Sequence, residues 1–278
     1  MPEAREGATF VHPTALVAPG AQLHPGARVG PFCVVEGDVV IGPDCILEPN
    51  VVLKSGTRMG SRNHIHTGAV IGEPPQDLKY HGESTEIIIG EDNLIREYVT
   101  LHRATGEGEA TLIGDHNLIM AYCHLGHNCE IGSHIQMANF AGLAGHVKVE
   151  DRAVLGAICG VHQYVRVGTL AMLGGYSKIV QDCPPYCMVD GRRASVVALN
   201  FRGLRRAGLD ENARRALRSA FRLLFRSDYN TTEALERLEQ EVEQTPEVRH
   251  LAEFMRAFGQ GYAGRADDPL GRRCRGEN

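Results

Sequence analysis

Histidine recurs in this chain at a spacing that could do chemistry. The segments Leu125-Gly-His127-Asn128, Leu143-Ala-Gly145-His146 and Val161-His162-Gln163 begin 18 residues apart, and each sets a histidine within three residues of an aliphatic side chain. Imidazole titrates near neutrality and suits general-base removal of a proton from a hydroxyl or an amine. A backbone N–H at a glycine turn such as Gly145 can point at a developing oxyanion with no side chain in the way. A base beside an oxyanion donor implies acyl transfer. No Ser or Cys stands beside these histidines in a nucleophile turn, so the acceptor is expected to attack directly, without a covalent acyl-enzyme.

The elements that must position these groups show in the apolar spacing. From Val11 to Ile71 every sixth residue is apolar, the same phase returns at Ile89, Ile95 and Leu101, and it runs unbroken from Ile113 to Ile179. Small or apolar residues such as Ala15, Ala27, Cys33 and Cys45 follow four positions later, with Gly and Pro between. A period of six fits neither a helix nor a plain strand; it predicts short strands wound into a solenoid, a hexapeptide parallel β-helix. With three hexads per coil, residues 18 apart stack in successive rungs about 4.8 Å apart. That arithmetic puts His127, His146 and His162 on one edge, with Gly72 three coils below Gly126 and Gly108 on the same edge. Two loops leave the coil near 72–88 and 102–112, and loops on a rigid scaffold carry function. His12, His24, His64, His116, His134 and His250 are read as turn residues facing solvent.

After Pro184-Pro185 the hexads stop and helical signals begin. Asp210 is placed to cap a helix with Ala213, Leu217, Phe221 and Leu224 on one face. Asn230 or Thr232 starts a second, and Thr245-Pro246 a third with Leu251, Met255 and Phe258 inward. The expected organisation is a β-helix over 1–190, a helical domain over 191–262 and a mobile tail over 263–278. Eight cysteines form no Cys-x-x-Cys pair; six of them (Cys33, Cys45, Cys123, Cys129, Cys159, Cys183) share one position of the repeat and read as reduced core residues. The net charge of −5 conceals ten Arg in 192–226 against only Asp210 and Glu211, which suits an anionic partner. With no apolar run long enough for a transmembrane segment and no signal-peptide core, the protein is expected in the cytoplasm.

Beyond spacing, the chain closely resembles the UDP-N-acetylglucosamine O-acyltransferases that begin lipid A synthesis. The matching stretches include Ile71-Gly-Glu, Gln76-Asp77-Leu78-Lys79-Tyr80, Val99-Thr-Leu-His102-Arg103, His124-x-x-His127, Leu143-Ala-Gly-His146, Val161-His-Gln163, Gln181-Asp-x-Pro-Pro-Tyr186 and Gly203-Leu-Arg-Arg206. The resemblance implies a left-handed parallel β-helix with a small C-terminal helical domain, assembled as a homotrimer with active sites between neighbouring subunits. It implies transfer of an (R)-3-hydroxyacyl group from acyl carrier protein to the 3-hydroxyl of UDP-GlcNAc, with no cofactor, metal or nucleic acid. In that reading His127 is the general base and Gly145 the oxyanion donor. Asp77, Lys79, His124, His146, His162 and Gln163 line the sugar and acyl sites, Asn200 and Arg206 engage the nucleotide, and the Arg-rich face meets the acidic carrier protein.

Departures from the pattern are specific. Asn128 follows the base where the family often has Asp, so Asn128→Asp is expected to be tolerated or mildly activating. Arg202 stands in place of a Glu, and Ala207 in place of an Arg. Gly175, without a side chain at the position that limits acyl length, points to a longer chain. The rival N-acyltransferase of the same pathway carries a domain ahead of its solenoid, whereas these hexads begin at Val11. The zinc hydratases on this fold carry two ligand histidines five residues apart, a spacing no histidine pair here has.

Overall fold

The computed structural model describes residues 8–270. Its strands, mostly two or three residues long, stack into three sheets that form the faces of a left-handed parallel β-helix. Within each two-residue strand one side chain points in and the next points out, the alternation that a pleated backbone imposes. The every-sixth aliphatics are the inward set: Leu47, Ile65 and Ile95 on the first sheet, Leu53, Leu101 and Leu125 on the second, and Ile41, Ile89 and Ile113 on the third are all buried. Small residues close the corners, so all six repeat-position cysteines are buried free thiols, as expected. Cys187 joins them.

Rung spacing is where the 18-residue arithmetic needs correction. Most ladders pair residues 18 apart, such as Leu125 with Leu143, but Ile71 pairs with Leu101 and Leu101 with Leu125. The loop after Ile71 stretches one step to 30 residues, and the loop after Leu101 stretches the next to 24. Gly72 therefore lies two coils below Gly126, not three, and Gly108 sits inside a loop rather than under Gly126. Both loops leave at the corner between the second and third sheets, which is also the corner of the Gly126-His127-Asn128 turn.

The coil outlasts Pro184-Pro185. Strand Cys187–Asp190 stacks on Met172–Leu173, and Ser195–Leu199 turns back antiparallel to it, an extension the hexads gave no sign of. The chain then enters α1 (Phe201–Arg206), α2 (Glu211–Phe225), α3 (Thr231–Glu241) and α4 (Pro246–Gln260). The caps fall where expected: Asp210 accepts from the Ala213 N–H, Asn230 forms a capping box with Glu233, and Thr245 precedes Pro246. Leu217, Leu238 and Leu251 fuse with Leu170, Tyr186 and Leu199 of the last coils into a second core. Among the described residues no helix is long and apolar enough to cross a membrane.

Two expectations fail at this junction. Residues 263–270 pack on the coil instead of hanging free: Arg265 is buried, binds Asp268 and donates to the Val180 carbonyl at 2.9 Å. The rest of the expected tail, 271–278, lies outside the described residues. His250 is no solvent-facing turn residue. It sits on α4 between Glu150 (Nε2 to Oε2, 3.1 Å) and the Tyr186 hydroxyl (3.0 Å), joining the helices to the solenoid.

Candidate active site

A cavity of about 630 Å³ opens along the outer face of the second sheet beside the two loops, a size that suits a small ligand. Its floor follows from register. Thr100, His124, Gly142, Gly160 and Lys178 occupy one outward column, rung upon rung. A side chain added at Gly142 or Gly160 would meet nothing within 4 Å, so the two glycines leave an open trough between His124 and Lys178.

The His127 imidazole forms one end of this trough and is mostly buried. Its Nδ1 lies 2.8 Å from the Asn128 Oδ1, and its Nε2 faces the Asp77 carboxylate at 3.9 Å, too far for a hydrogen bond. Gly145 sits directly above: a Cβ there would lie 2.5 Å from Nε2 and 2.6 Å from Cε1. Only glycine lets backbone approach the ring so closely, and the Gly145 N–H donates to no protein acceptor among the described residues. The His146 ring packs edge-on against His127 at 5.1 Å and stacks on Tyr164 at 4.6 Å, so it braces the base from behind rather than lining the cavity. His162 and Gln163 line the cavity one rung higher.

Asn128 has two tasks. Its backbone is left-handed (φ 56°), a conformation in which Asn is enriched. Its Oδ1 also accepts from the Thr105 N–H at 3.0 Å, while its Nδ2 donates to the Thr105 carbonyl at 3.0 Å. An Asp could not make the second bond, so the expectation that Asn128→Asp is tolerated or mildly activating omits a cost.

His102 is the residue that spacing missed. It is buried beneath His124, ring centroids 4.9 Å apart, and its Nδ1 has no partner among the described residues. Desolvation, reinforced by neighbouring His124 and His127, pushes its pKa down to about 4. Burial also lowers His124, whose Nδ1 shares a hydrogen bond of 2.8 Å with the Thr100 hydroxyl, and His146. These rings are neutral at physiological pH.

The remaining expected site residues divide. Asp77 stands at the cavity, with its Oδ1 accepting from the Lys79 N–H, but the Lys79 side chain is exposed and Gln76 is the loop residue that lines the wall. Gly175 is exposed at the corner after Met172–Leu173, off the cavity lining. Asn200 and Arg206 are not brought to His127 in the same chain. They line a separate cavity of about 350 Å³ between the first sheet and α1, with His134, Gln136 and Arg152. Asn200 is buried there and committed to structure, donating to the Leu170 carbonyl and capping α1 through the Gly203 N–H. Ala207 faces this cavity, and Arg202 is exposed on α1.

The chain is similar to known proteins over most of its length. Bacterial transferase hexapeptide repeats match at 38–73 and 110–145, and the second domain of UDP N-acetylglucosamine O-acyltransferase matches at 182–263. An acyl-[acyl-carrier-protein]--UDP-N-acetylglucosamine O-acyltransferase from Burkholderia lata is 47% identical over 258 residues, covering 91% of this chain and 98% of the relative. That from Burkholderia thailandensis is 51% identical over 225 residues, covering 81% and 86%. A solved UDP-N-acetylglucosamine O-acyltransferase from Moraxella catarrhalis superposes with TM-score 0.84 at 39% identity, covering 88% of this chain and 96% of its own. A UDP-N-acetylglucosamine acyltransferase from Bacteroides fragilis does so with TM-score 0.87 at 35% identity, over the same 88% and 96%.

Proposed function

Because the chain belongs to the UDP-N-acetylglucosamine O-acyltransferase family, we propose that it transfers a 3-hydroxyacyl group from acyl carrier protein to the 3-hydroxyl of UDP-GlcNAc, with His127 as general base. The observation that carries this reading is the close approach of Gly145 to His127 Nε2, where a Cβ would lie 2.5 Å from the nitrogen, with both residues lining the cavity. In this reading Nε2 takes the proton as the sugar oxygen attacks the acyl carbonyl, and the Gly145 N–H stabilises the oxyanion. The imidazolium then returns the proton to the departing carrier. His124 and His102 give this step neutral walls beside His127. The arginines of α1 and α2 (Arg205, Arg214, Arg215 and Arg218 around one shallow pocket) give the acidic carrier a docking face.

The chain is read as a homotrimer, as its resemblance to the family implies; two separated cavities in one chain fit sites shared between subunits, the Asn200–Arg206 cavity of one facing the His127 cavity of the next. The protein is read as working in the cytoplasm.

His127→Ala is expected to leave assembly intact and lower acyl transfer at least about 10²-fold; activity within tenfold of wild type would overturn the assignment of the base. Subunits carrying His127→Ala mixed with subunits carrying Arg206→Ala should recover activity if sites are shared between neighbours, and should stay dead otherwise. Donors of several chain lengths, assayed against UDP-GlcNAc and its 3-amino analogue, fix acceptor and acyl length together. Longer chains are expected to be preferred, as the resemblance at Gly175 implies, although Gly175 lies off the cavity of a single chain.

A further inference from the structure

Asn128 is held by its neighbours in one orientation. A flip of its amide would set Nδ2 against the Thr105 N–H and Oδ1 against the Thr105 carbonyl, turning two 3.0 Å hydrogen bonds into two repulsions. Held as it is, the amide offers His127 Nδ1 only an acceptor. The proton of a neutral ring must then sit on Nδ1, which leaves the lone pair on Nε2, the atom facing the cavity. A flipped amide would donate to Nδ1 and move the proton to Nε2.

Thr105 is itself held from the other loop. Its hydroxyl donates to Glu83 Oε1 at 3.0 Å, and the next backbone N–H, from Gly106, donates to the same oxygen at 3.1 Å. The second oxygen, Oε2, accepts from the His81 N–H at 2.8 Å, which fixes the carboxylate in its own loop. These backbone donors, His81 and then Gly106, hold the carboxyl well down, at about 2, so Glu83 is an acceptor throughout the working pH range.

We propose that Glu83 is a positioning residue: through Thr105 and Asn128 it fixes the tautomer of His127 and so keeps the lone pair on Nε2. The inference rests on His127 being the base. It has a specific consequence, because a carboxylate at position 128 would accept from Nδ1 whichever way it turned. The tautomer would then no longer depend on the clasp.

The test is a double-mutant cycle. Glu83→Ala is expected to lower kcat about tenfold in the natural chain but twofold or less in a chain already carrying Asn128→Asp. Glu83→Gln, which retains an acceptor oxygen, should recover most of the rate. Nitrogen-15 NMR of histidine-labelled protein reads the tautomer directly: Nδ1–H for His127 in the natural chain, and a mixture in Glu83→Ala. An equal loss in both backgrounds would reduce Glu83 to a loop-folding residue and overturn the proposal. An Nε2–H tautomer in the natural chain would overturn it whether or not any variant folds. Failure of His127→Ala to reduce activity would instead sink the underlying reading of the base.

Discussion

The histidines of the cavity and the histidine of the domain joint are the same side chain put to opposite uses. His102 and His124 at the cavity, and His146 behind the base, pack among other rings, hydroxyls and backbone, and desolvation lowers all three, His102 to about 4. His250 is half-buried, yet its pKa is raised, because the hydrogen bond it donates to Glu150 outweighs desolvation. Where burial outweighs any nearby carboxylate the imidazole is a neutral wall; where a carboxylate outweighs burial the protonated form is favoured, and the ring straps α4 to the solenoid.

The contrast breaks most sharply at Gly145. Gly145→Ala would drive a methyl group into His127 and is expected to lower kcat/KM at least about 10²-fold, whereas His250→Gln should leave kcat/KM within threefold. Acyl-transfer assays on the two variants side by side check this; comparable losses would erase the distinction between cavity and joint.

Next in size is the acid response of the cavity. His102 has a folded pKa below its unfolded value, so its neutral burial adds stability above about pH 6.5 that is lost as pH falls toward 4, on the order of 3 kcal/mol. His102→Phe should flatten the fall in Tm over that interval. An unchanged acid profile would mean that another group controls it.

The joint gives the smallest effect, and with the other sign. A raised histidine pKa contributes stability that is full below about 6.5 and is lost as pH rises through the folded value. The lowered pKa of Glu150 adds the opposite limb, lost as pH falls through its own folded value. At a pair about one-third exposed, screening reduces the gain to about 1 kcal/mol, so Glu150→Gln should lower Tm by roughly 2–4 °C near pH 6. The gap between the variant and the natural chain should close by pH 9. A gap independent of pH would show that packing, not charge, holds the joint.

Much of this was legible in advance, for a physical reason. The solenoid repeats one buried position every six residues, so the inward set, the cysteine corners and the edge bearing His127, Gly145 and His162 could be read by counting. The caps at Asp210, Asn230 and Thr245 were equally local. His102 was not, because the step down from Gly126 is 24 residues; counting by 18 puts Gly108 there instead. His250 and Glu150 lie 100 residues apart in different elements, and no repeat relates them. The antiparallel return at Ser195–Leu199 and the docking of Arg265 depend on tertiary partners for the same reason.

The length of the two loops has a further consequence. The inward phase is the same before and after each, so both are insertions of whole hexads, and a whole hexad could in principle wind on as another edge and rotate every later face by a third of a turn. The positions that would then point into the core are Asp77 and Glu83 in the first loop and Glu107 in the second. All three are carboxylates, which an apolar interior rejects at a cost of several kcal/mol each. The same three act once the loops stand clear: Asp77 faces the base, Glu83 holds Thr105, and Glu107 accepts from the Ser84 N–H. The acids that equip the site are also what stops the winding from continuing through it.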